Sequence, residues 1–428
     1  MIEITNKILW GVATAFIIWA GIYFSFKLKF IQFDLKKIIK YTFKKENKKG
    51  LNSFSTLMLT LAGKIGVGSI AGVALAIYIG GLGTIFWMWV IALISAANTY
   101  AETYVGIVYN EIDEENIFKG GPSYYIKNGL KKNILAYICA IIIIGCYLFG
   151  FIPIQANTIT KSINEIAYIN PTFIGLILCF FSAIIIFGGI KKISKAANKI
   201  VPLMTLLYLI IAIYIIVNNI NIIPDIFISI FKSAFNTKAF TTGFITTLII
   251  GIQRGIFANE SGLGTGSIAS STINTNEPYK AGYVQMLGIY IATFLICTST
   301  AIIIATSDYS NINFYDVNGI EITQYAFNYH LGIFGNILII ISIILFAFST
   351  ILTGYYYIES NLKFFNNNIS NTKLFIAKII TLIFLFIGCI ISSKKLWNIV
   401  DILIAILAII NIYSLLKLKD KIKKKVVL

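Results

Sequence analysis

Two glycine-rich segments interrupt long apolar runs and carry the polar groups best placed to do chemistry. The first spans residues 63–72 and includes Lys64, and the second spans residues 251–264 and includes Asn259 and Glu260. Glycine costs about 1 kcal/mol relative to alanine inside a helix. Polar backbone of this kind is tolerated in an apolar environment only where it lines a cavity. The two segments therefore predict a polar site formed by breaks in helices.

Backbone groups freed by such breaks suit a ligand that carries one positive and one negative charge. After the first break, N–H groups near Gly68 and Ser69 form the partly positive end of a half-helix, which can hold a carboxylate. In the second break, carbonyls from Ile256 to Ala258 lose helical partners and can accept hydrogen bonds from an ammonium group. Close helix packing around small residues would explain Gly68 and Gly72 alone. It does not explain the polar residues in both breaks.

The rest of the chain contains few residues that could support catalysis or bind a cofactor. The chain has one histidine, His330, and five cysteines that all lie inside apolar runs without CxxC spacing. No P-loop, GxSxG or dinucleotide-binding pattern is present. We expect no enzyme activity and no cofactor.

Composition indicates that the elements around these breaks cross a membrane. Of 428 residues, 57% are hydrophobic and 12% are charged, and the mean hydropathy is +0.83; the usual charged fraction is about 25%. Apolar runs long enough to span a bilayer, at about 20 residues each, predict an all-α protein with eleven transmembrane helices. They lie near residues 8–26, 54–79, 83–108, 134–157, 172–190, 199–218, 241–272, 281–306, 334–358, 374–392 and 396–416.

The spacing of the breaks predicts an internal repeat. They fall in the second and seventh spans, five spans apart, so two five-helix halves would each open with a discontinuous helix. An odd number of helices inverts the second half, as in many secondary transporters. We expect an extra N-terminal helix and basic loop at 1–50, repeats at 51–218 and 219–416, and a basic tail at 417–428.

Lysine and arginine are distributed unevenly between the alternate loops. One side carries 27 of them and the other six, within a net charge of +17. The positive-inside rule then places the N-terminus outside and the C-terminus in the cytoplasm of a prokaryotic-type inner (plasma) membrane. This distribution explains the positive charge without nucleic acid. No obligate protein partner is evident.

Three motifs resemble one transporter family. GGLGTIFWMW at 80–89 is similar to the family's GGPGAIFWMW, GVGSIAGV at 66–73 to GTGNIAGV, and RGIFANESGLG at 254–264 to RGLFSNEAGLG. The family is that of the alanine or glycine:cation symporters, and the resemblance runs from residue 8 to about residue 360. It implies a leucine-transporter-type fold and import of alanine, glycine or a similar small amino acid with Na+.

The resemblance also implies site residues. Gln155 would face the substrate, and Phe257 would bound the pocket. With the backbone groups of the two breaks, the candidate substrate-binding residues are Gly66, Gly68, Ser69, Gln155, Ile256, Phe257, Ala258 and Asn259. The implied Na+ site comprises Ala62, Ile65, Phe346, Ser349 and Thr350.

The chain departs from the family pattern near this site. Val67 and Ser69 stand where the family has Thr and Asn, Ala292 where an acid is common, and Thr99 where Lys is usual. The changes at Val67 and Ala292 remove oxygen ligands, and Lys64, a fourth departure, adds positive charge beside the implied cation ligands. The substrate class is therefore better supported than the coupling ion.

Three charged residues of the breaks have open roles in coupling or gating. The ammonium group of Lys64 could replace or titrate against the coupling cation; alternatively, Lys64 points into a cytoplasmic vestibule or pairs with Glu102. Glu260 could be a cation ligand, a substrate ligand or the partner of Arg254. Asn259 suits a hydrogen bond across the break.

The sequence therefore favours a secondary transporter that imports a small neutral amino acid with Na+ by alternating access. One alternative is a proton-coupled or ion-independent transporter or exchanger, as Lys64, Ser69 and Ala292 suggest. An alternative of another class is a membrane sensor that binds the amino acid without moving it. The expected partners are the amino acid, Na+ or H+, and the lipid bilayer.

Overall fold

The fold consists almost entirely of α-helices. The computed structural model describes residues 2–43, 52–113, 117–235, 243–273, 275, 277–309, 319–366 and 369–424. The first nine helices are α1 (Ile2–Lys27), α2 (Leu35–Thr42), α3 (Ser53–Lys64), α4 (Ala71–Gly80), α5 (Gly83–Val108), α6 (Pro122–Leu130), α7 (Asn133–Gly145), α8 (Ile152–Asn164) and α9 (Pro171–Ile186). The others are α10 (Gly189–Asn218), α11 (Ile223–Ala234), α12 (Gly243–Asn259), α13 (Thr265–Ser270), α14 (Pro278–Tyr290), α15 (Thr298–Ala305), α16 (Ile320–Phe365), α17 (Asn371–Ile390) and α18 (Ser393–Lys417).

Length and hydropathy identify most of the expected membrane spans. Within the described residues, 8 helices are long and apolar enough to cross a membrane, and α3 with α4, bent by 64°, makes a ninth. α9 is apolar but shorter, and α12 with α13 is not among the spans that meet this test. An all-α membrane protein is confirmed, whereas the count of eleven and the inverted repeat remain predictions.

The first break separates α3 from α4 where the sequence is richest in glycine. Asn52 caps the N-terminus of α3, since its side chain accepts a hydrogen bond from the Ser55 N–H at 2.7 Å. After Lys64 the chain turns through a short 3₁₀ segment, Val67–Ser69, before α4 begins. The second span is therefore two half-helices.

The second break separates α12 from α13. Its backbone passes through the left-handed region at Glu260, Gly262 and Gly264, with φ values of 52°, 77° and 80°. Two of these residues are glycines, which adopt such angles without steric cost. Glu260 adopts this angle with a side chain, and its carboxylate is held by two hydroxyl groups.

Two membrane helices contain π-helical turns. One covers Cys146–Phe151 between α7 and α8, and the other covers Ile291–Cys297 between α14 and α15. Such turns occur frequently at functional sites because they reposition side chains within a helix. Both pack against the breaks, since Phe151 stacks on Phe257 and Thr293 contacts Asn259.

A small hairpin and a short helix follow α5. Strands β1 (Glu111–Ile112) and β2 (Phe118–Lys119) pair antiparallel. Asp113 forms an ion pair with Lys119 and lies 3.7 Å from Lys363 at the end of α16. These contacts attach the loop to a membrane helix.

Candidate functional site

Gln155 binds the backbone of the first break. The Val67 N–H donates to Gln155 Oε1 at 3.0 Å. A Cβ on Gly66 would lie 2.6 Å from Thr350 Oγ1 and 3.0 Å from the Gln155 amide. Gln155 therefore holds the backbone of the first break, and a side chain at Gly66 would force Thr350 or the Gln155 amide to move.

A stack of aromatic rings closes over Gly68. Phe257 stacks on Phe151 at a centroid distance of 5.1 Å and packs on Trp397 at 4.8 Å. A Cβ on Gly68 would lie 2.5 Å from Phe257 Cδ1. The two breaks thus face each other, with Phe257 against the backbone of Gly68; that Phe257 bounds a substrate pocket stays a prediction.

The N–H groups of the first break are less free than the sequence suggested. The Ser69 N–H donates to the Gly66 carbonyl at 3.1 Å within the 3₁₀ turn. The Ser69 carbonyl accepts from Thr300 Oγ1 at 2.8 Å. The expectation of a free Ser69 N–H is therefore wrong, because the chain keeps turning through the break. The carboxylate-binding hypothesis now depends on Gly68.

The carbonyls of the second break are also partly satisfied. The Ile256 carbonyl accepts from the Glu260 N–H at 2.8 Å, so the expectation that it is unpaired is wrong. The Ser261 N–H, which would reach the Phe257 carbonyl in a continuous helix, donates instead to Asn259 Oδ1 at 2.9 Å. The first carbonyl that lacks its helical N–H partner is therefore that of Phe257, one residue later than predicted.

Asn259 forms the hydrogen bond across the break that its side chain suggested. Besides accepting from Ser261, it donates from Nδ2 to Thr293 Oγ1 at 3.0 Å. Asn259 and Ala258 are buried. The side chain of Asn259 therefore fixes the non-helical backbone and ties it to the π-helical turn that precedes α15.

Two hydroxyl groups of α16 meet the carboxyl end of α3. Thr350 Oγ1 donates to the Ala62 carbonyl at 2.9 Å, and Ser349 Oγ to the same oxygen at 3.2 Å. Both hydroxyls also lie within hydrogen-bond distance of the Phe346 carbonyl, at 3.1 and 2.9 Å. Ile65 is buried directly after the last residue of α3. The residues of the implied Na+ site are thus brought together at the negative end of a half-helix dipole.

Arg254 has a partner other than the predicted one. Its Nη2 donates to Asp401 Oδ2 at 2.8 Å and its Nη1 to Oδ1 at 3.2 Å, while the guanidinium lies 4.5 Å from the ring centroid of Trp397. The predicted pair with Glu260 is wrong. Arg254 and Asp401 line a cavity of about 390 Å³ beside Trp10, between α1, α12 and α18.

Glu260 is held by hydroxyl groups rather than by a cation. Tyr147 donates to its Oε1 at 2.9 Å and Thr265 to its Oε2 at 2.8 Å. Lys64 is only 1% exposed, so it does not open into a vestibule. Lys64, Glu102 and Glu260 are all buried, and their positions around Gly63 and Gly266 make them a cluster beside both breaks.

Sequence reasoning missed several residues of this region, above all Asp401, Trp397, Thr293 and Tyr147. Asp401 carried a usable signal, since a lone acid within an apolar run of a membrane helix marks a functional or paired position. Trp397, Thr293 and Tyr147 are residue types that are common in membrane helices, so the sequence alone did not mark them as part of a site.

Comparisons with known proteins point to one family. A model of the sodium:alanine symporter family matches residues 1–427. The amino-acid carrier protein AlsT of Bacillus subtilis is 34% identical over 96% of this chain and 88% of its own length. The probable sodium/glutamine symporter GlnT of the same organism is 33% identical over 97% and 87%, and the sodium/alanine symporter AgcS of Methanococcus maripaludis is 34% identical over 98% and 94%. The chain belongs to the sodium:alanine symporter family.

Proposed function

We propose that the protein imports a small neutral amino acid, alanine or glycine, together with Na+ by alternating access. The observation that carries this proposal is the contact between the Ser349 and Thr350 hydroxyls and the Ala62 carbonyl, at 3.2 and 2.9 Å. Such neutral oxygens at a half-helix end suit a hard monovalent cation. Family membership and relatives named as sodium symporters support it.

The substrate lies between the two breaks. Its carboxylate is received by the backbone at Gly68, its ammonium group by carbonyls from Phe257 onward, and Gln155 orients the first break. Phe257 is packed between two further aromatic rings, and we infer that it limits the length of the substrate side chain. This size limit favours alanine and glycine over a larger amino acid such as glutamine.

The Na+ ion binds among Ala62, Ile65, Phe346, Ser349 and Thr350. On ion binding, the two hydroxyl groups rotate so that their lone pairs, rather than their protons, face the centre of the site. Carbonyl oxygens supply the remaining ligands. The protein requires no cofactor besides this coupling ion and performs no enzymatic reaction.

The membrane arrangement follows from the same proposal. Eleven helices cross a prokaryotic-type inner membrane, and α3 with α4 and α12 with α13 open two inverted halves that follow an extra first helix. The N-terminus lies outside and the C-terminus in the cytoplasm, as the lysine distribution indicates. The repeats provide the two elements that rock around the site.

A second candidate is proton-coupled or ion-independent transport. The observation that favours it is Lys64, a buried lysine beside the Na+ ligands whose Nζ has no hydrogen-bond partner among the described residues. A fixed ammonium group there would compete with a mobile cation. Flux in Na+-free buffer at two pH values separates the two candidates.

Alanine uptake into proteoliposomes tests the proposal. We expect uptake with an inward Na+ gradient and little uptake when K+ replaces Na+ at constant pH. Equal uptake in both would favour the second candidate. Binding without uptake or counterflow would indicate a sensor and contradict transport.

A further inference from the structure

The Lys64 side chain occupies a buried position between the two breaks. It is the last residue of α3, so its ammonium group lies near the partly negative end of that helix. The part of the chain that the structure describes offers Nζ neither a hydrogen bond nor an ion pair. A buried cation without a direct partner requires compensation from nearby negative charge.

Two carboxylates lie close to this lysine and supply the compensating charge. A Cβ on Gly266 would lie 3.5 Å from Glu102 Oε1 and 3.7 Å from Lys64 Cε, so both side chains pack against the bare backbone of Gly266. Glu260 Oε2 lies 3.6 Å from the equivalent position on Gly63, the residue before Lys64. Both glutamates are fully buried.

Glu102 also holds the second break. Its Oε2 accepts from the Gly264 N–H at 3.0 Å and from Asn411 Nδ2 at 3.3 Å. Its Oε1 has no hydrogen-bond partner among the described residues and lies on the Lys64 side. The charge balance around Lys64 is therefore connected to the backbone just before α13 begins.

We propose that the Lys64 ammonium group is a built-in monovalent cation, occupying a site between Glu102 and Glu260 that a second Na+ or a proton would otherwise fill. This inference rests on the proposed function. Arg254 cannot serve instead, because both ends of its guanidinium are bound to Asp401. With Lys64 in place, one Na+ at the Ala62 site accompanies each amino acid.

The other titratable groups that face the cluster are phenols and thiols. Those near enough to interact electrostatically with the two glutamates or with one another are Tyr125, Tyr147, Tyr357, Cys139 and Cys146. They contribute no positive charge. Lys64 is thus the cationic side chain of the cluster within the described residues.

Replacing Lys64 with methionine tests the proposal, since methionine keeps the length of the side chain and removes its charge. We expect the order of the Na+ activation of alanine uptake to rise from about one to about two, as linkage requires for one additional bound ion. If a proton fills the site instead, uptake by the variant should decrease as pH rises, while wild-type uptake stays flat.

The double variant Lys64→Met/Glu102→Gln is the matched control. Glutamine keeps an oxygen for the Gly264 N–H and removes one negative charge, so the net charge of the cluster returns to that of the wild type. We expect first-order Na+ activation and a flat pH profile in this variant. Lys64→Arg should also behave like the wild type.

The outcomes separate this inference from the proposed function. Absence of Na+-dependent uptake by the wild type would refute the function itself. Wild-type uptake with unchanged Na+ order and pH profile in Lys64→Met would overturn the inference alone. If Lys64→Met cannot be purified but the double variant can, the charge-balance argument is supported. If neither variant can be purified, the argument is contradicted.

Discussion

Substitution of Gly68 by alanine tests whether the close approach of the two breaks defines the substrate pocket. The new Cβ would lie 2.5 and 2.7 Å from Cδ1 and Cε1 of Phe257 and 3.3 Å from the Ala258 Cα. The Phe257 ring must then move, yet it is held between Phe151 and Trp397. The effect should therefore appear in substrate binding.

The expected magnitude follows from the cost of overpacking. Adding a methyl group to a tightly packed site costs about 1–3 kcal/mol, which corresponds to a loss of alanine affinity of about 5- to 150-fold. The backbone of Gly68 is not in the left-handed region, so alanine adds no conformational strain. Steric contact with Phe257 is then the cause of the loss.

Gly72→Ala is the matched control. Gly72 also lies near Phe257 and Trp397, but its Cβ would be 3.8 Å from Trp397 Cη2 and 4.0 Å from Phe257 Cδ1, which are ordinary van der Waals distances. Binding of radiolabelled alanine to purified, monodisperse protein measures the affinity of both variants, and proteoliposome uptake measures the KM. Equal affinities for Gly68→Ala and Gly72→Ala would refute the pocket proposed here.

Three further predictions concern the ion site, the buried salt bridge and the hairpin. Thr350→Val should weaken the apparent Na+ affinity about tenfold or more, since a polar contact to a charged group is worth about 1.5–3 kcal/mol; uptake against Na+ concentration measures it. Asp401→Asn should lower the stability of the detergent-purified protein by about 3–5 kcal/mol, because the Arg254 charge stays buried and loses its partner; thermal melting measures it. Burial alone would raise the pKa of Asp113, but Lys119, the Ile117 N–H and Lys363 outweigh burial and hold it below its usual value of 3.8. Its contribution to stability is therefore complete above pH 3.8 and lost as pH falls below it, so proteolysis of the hairpin should accelerate only at such low pH.

Each of these predictions has a control. Thr353→Val removes a hydroxyl that bonds the Ser349 carbonyl of its own helix at 3.1 Å, so it should leave Na+ activation nearly unchanged. Arg254→Met with Asp401→Leu removes both charges and should recover most of the lost stability. Asp225→Asn, at an exposed position, should not alter acid sensitivity. Equal effects of test and control variants would contradict the corresponding argument.

Several features of the fold and site could be predicted from the sequence because their signals are local. Hydropathy over about 20 residues marks a membrane span, and clustered glycines with polar neighbours mark a break in one. Asn259 suited a bond across its break because its side chain reaches the backbone two residues on, and it does so. The motifs around Trp87, Gly68 and Phe257 also identified the family, which the comparisons confirm.

Long-range pairing was decided by the tertiary structure alone. Arg254 binds Asp401, 147 residues away, rather than Glu260, because α1 packs against both α18 and α12 and brings the carboxylate within reach of the guanidinium. The Ile256 carbonyl stays paired because the helix continues to Asn259, an end point set by Thr293 on a π-helical turn. Glycine content shows that a helix breaks, but the residue at which it breaks depends on which distant groups can satisfy the freed backbone. The same reason places Lys64 beside Glu102 and Glu260, since only the packing of α13 against both α3 and α5 determines which charges are neighbours.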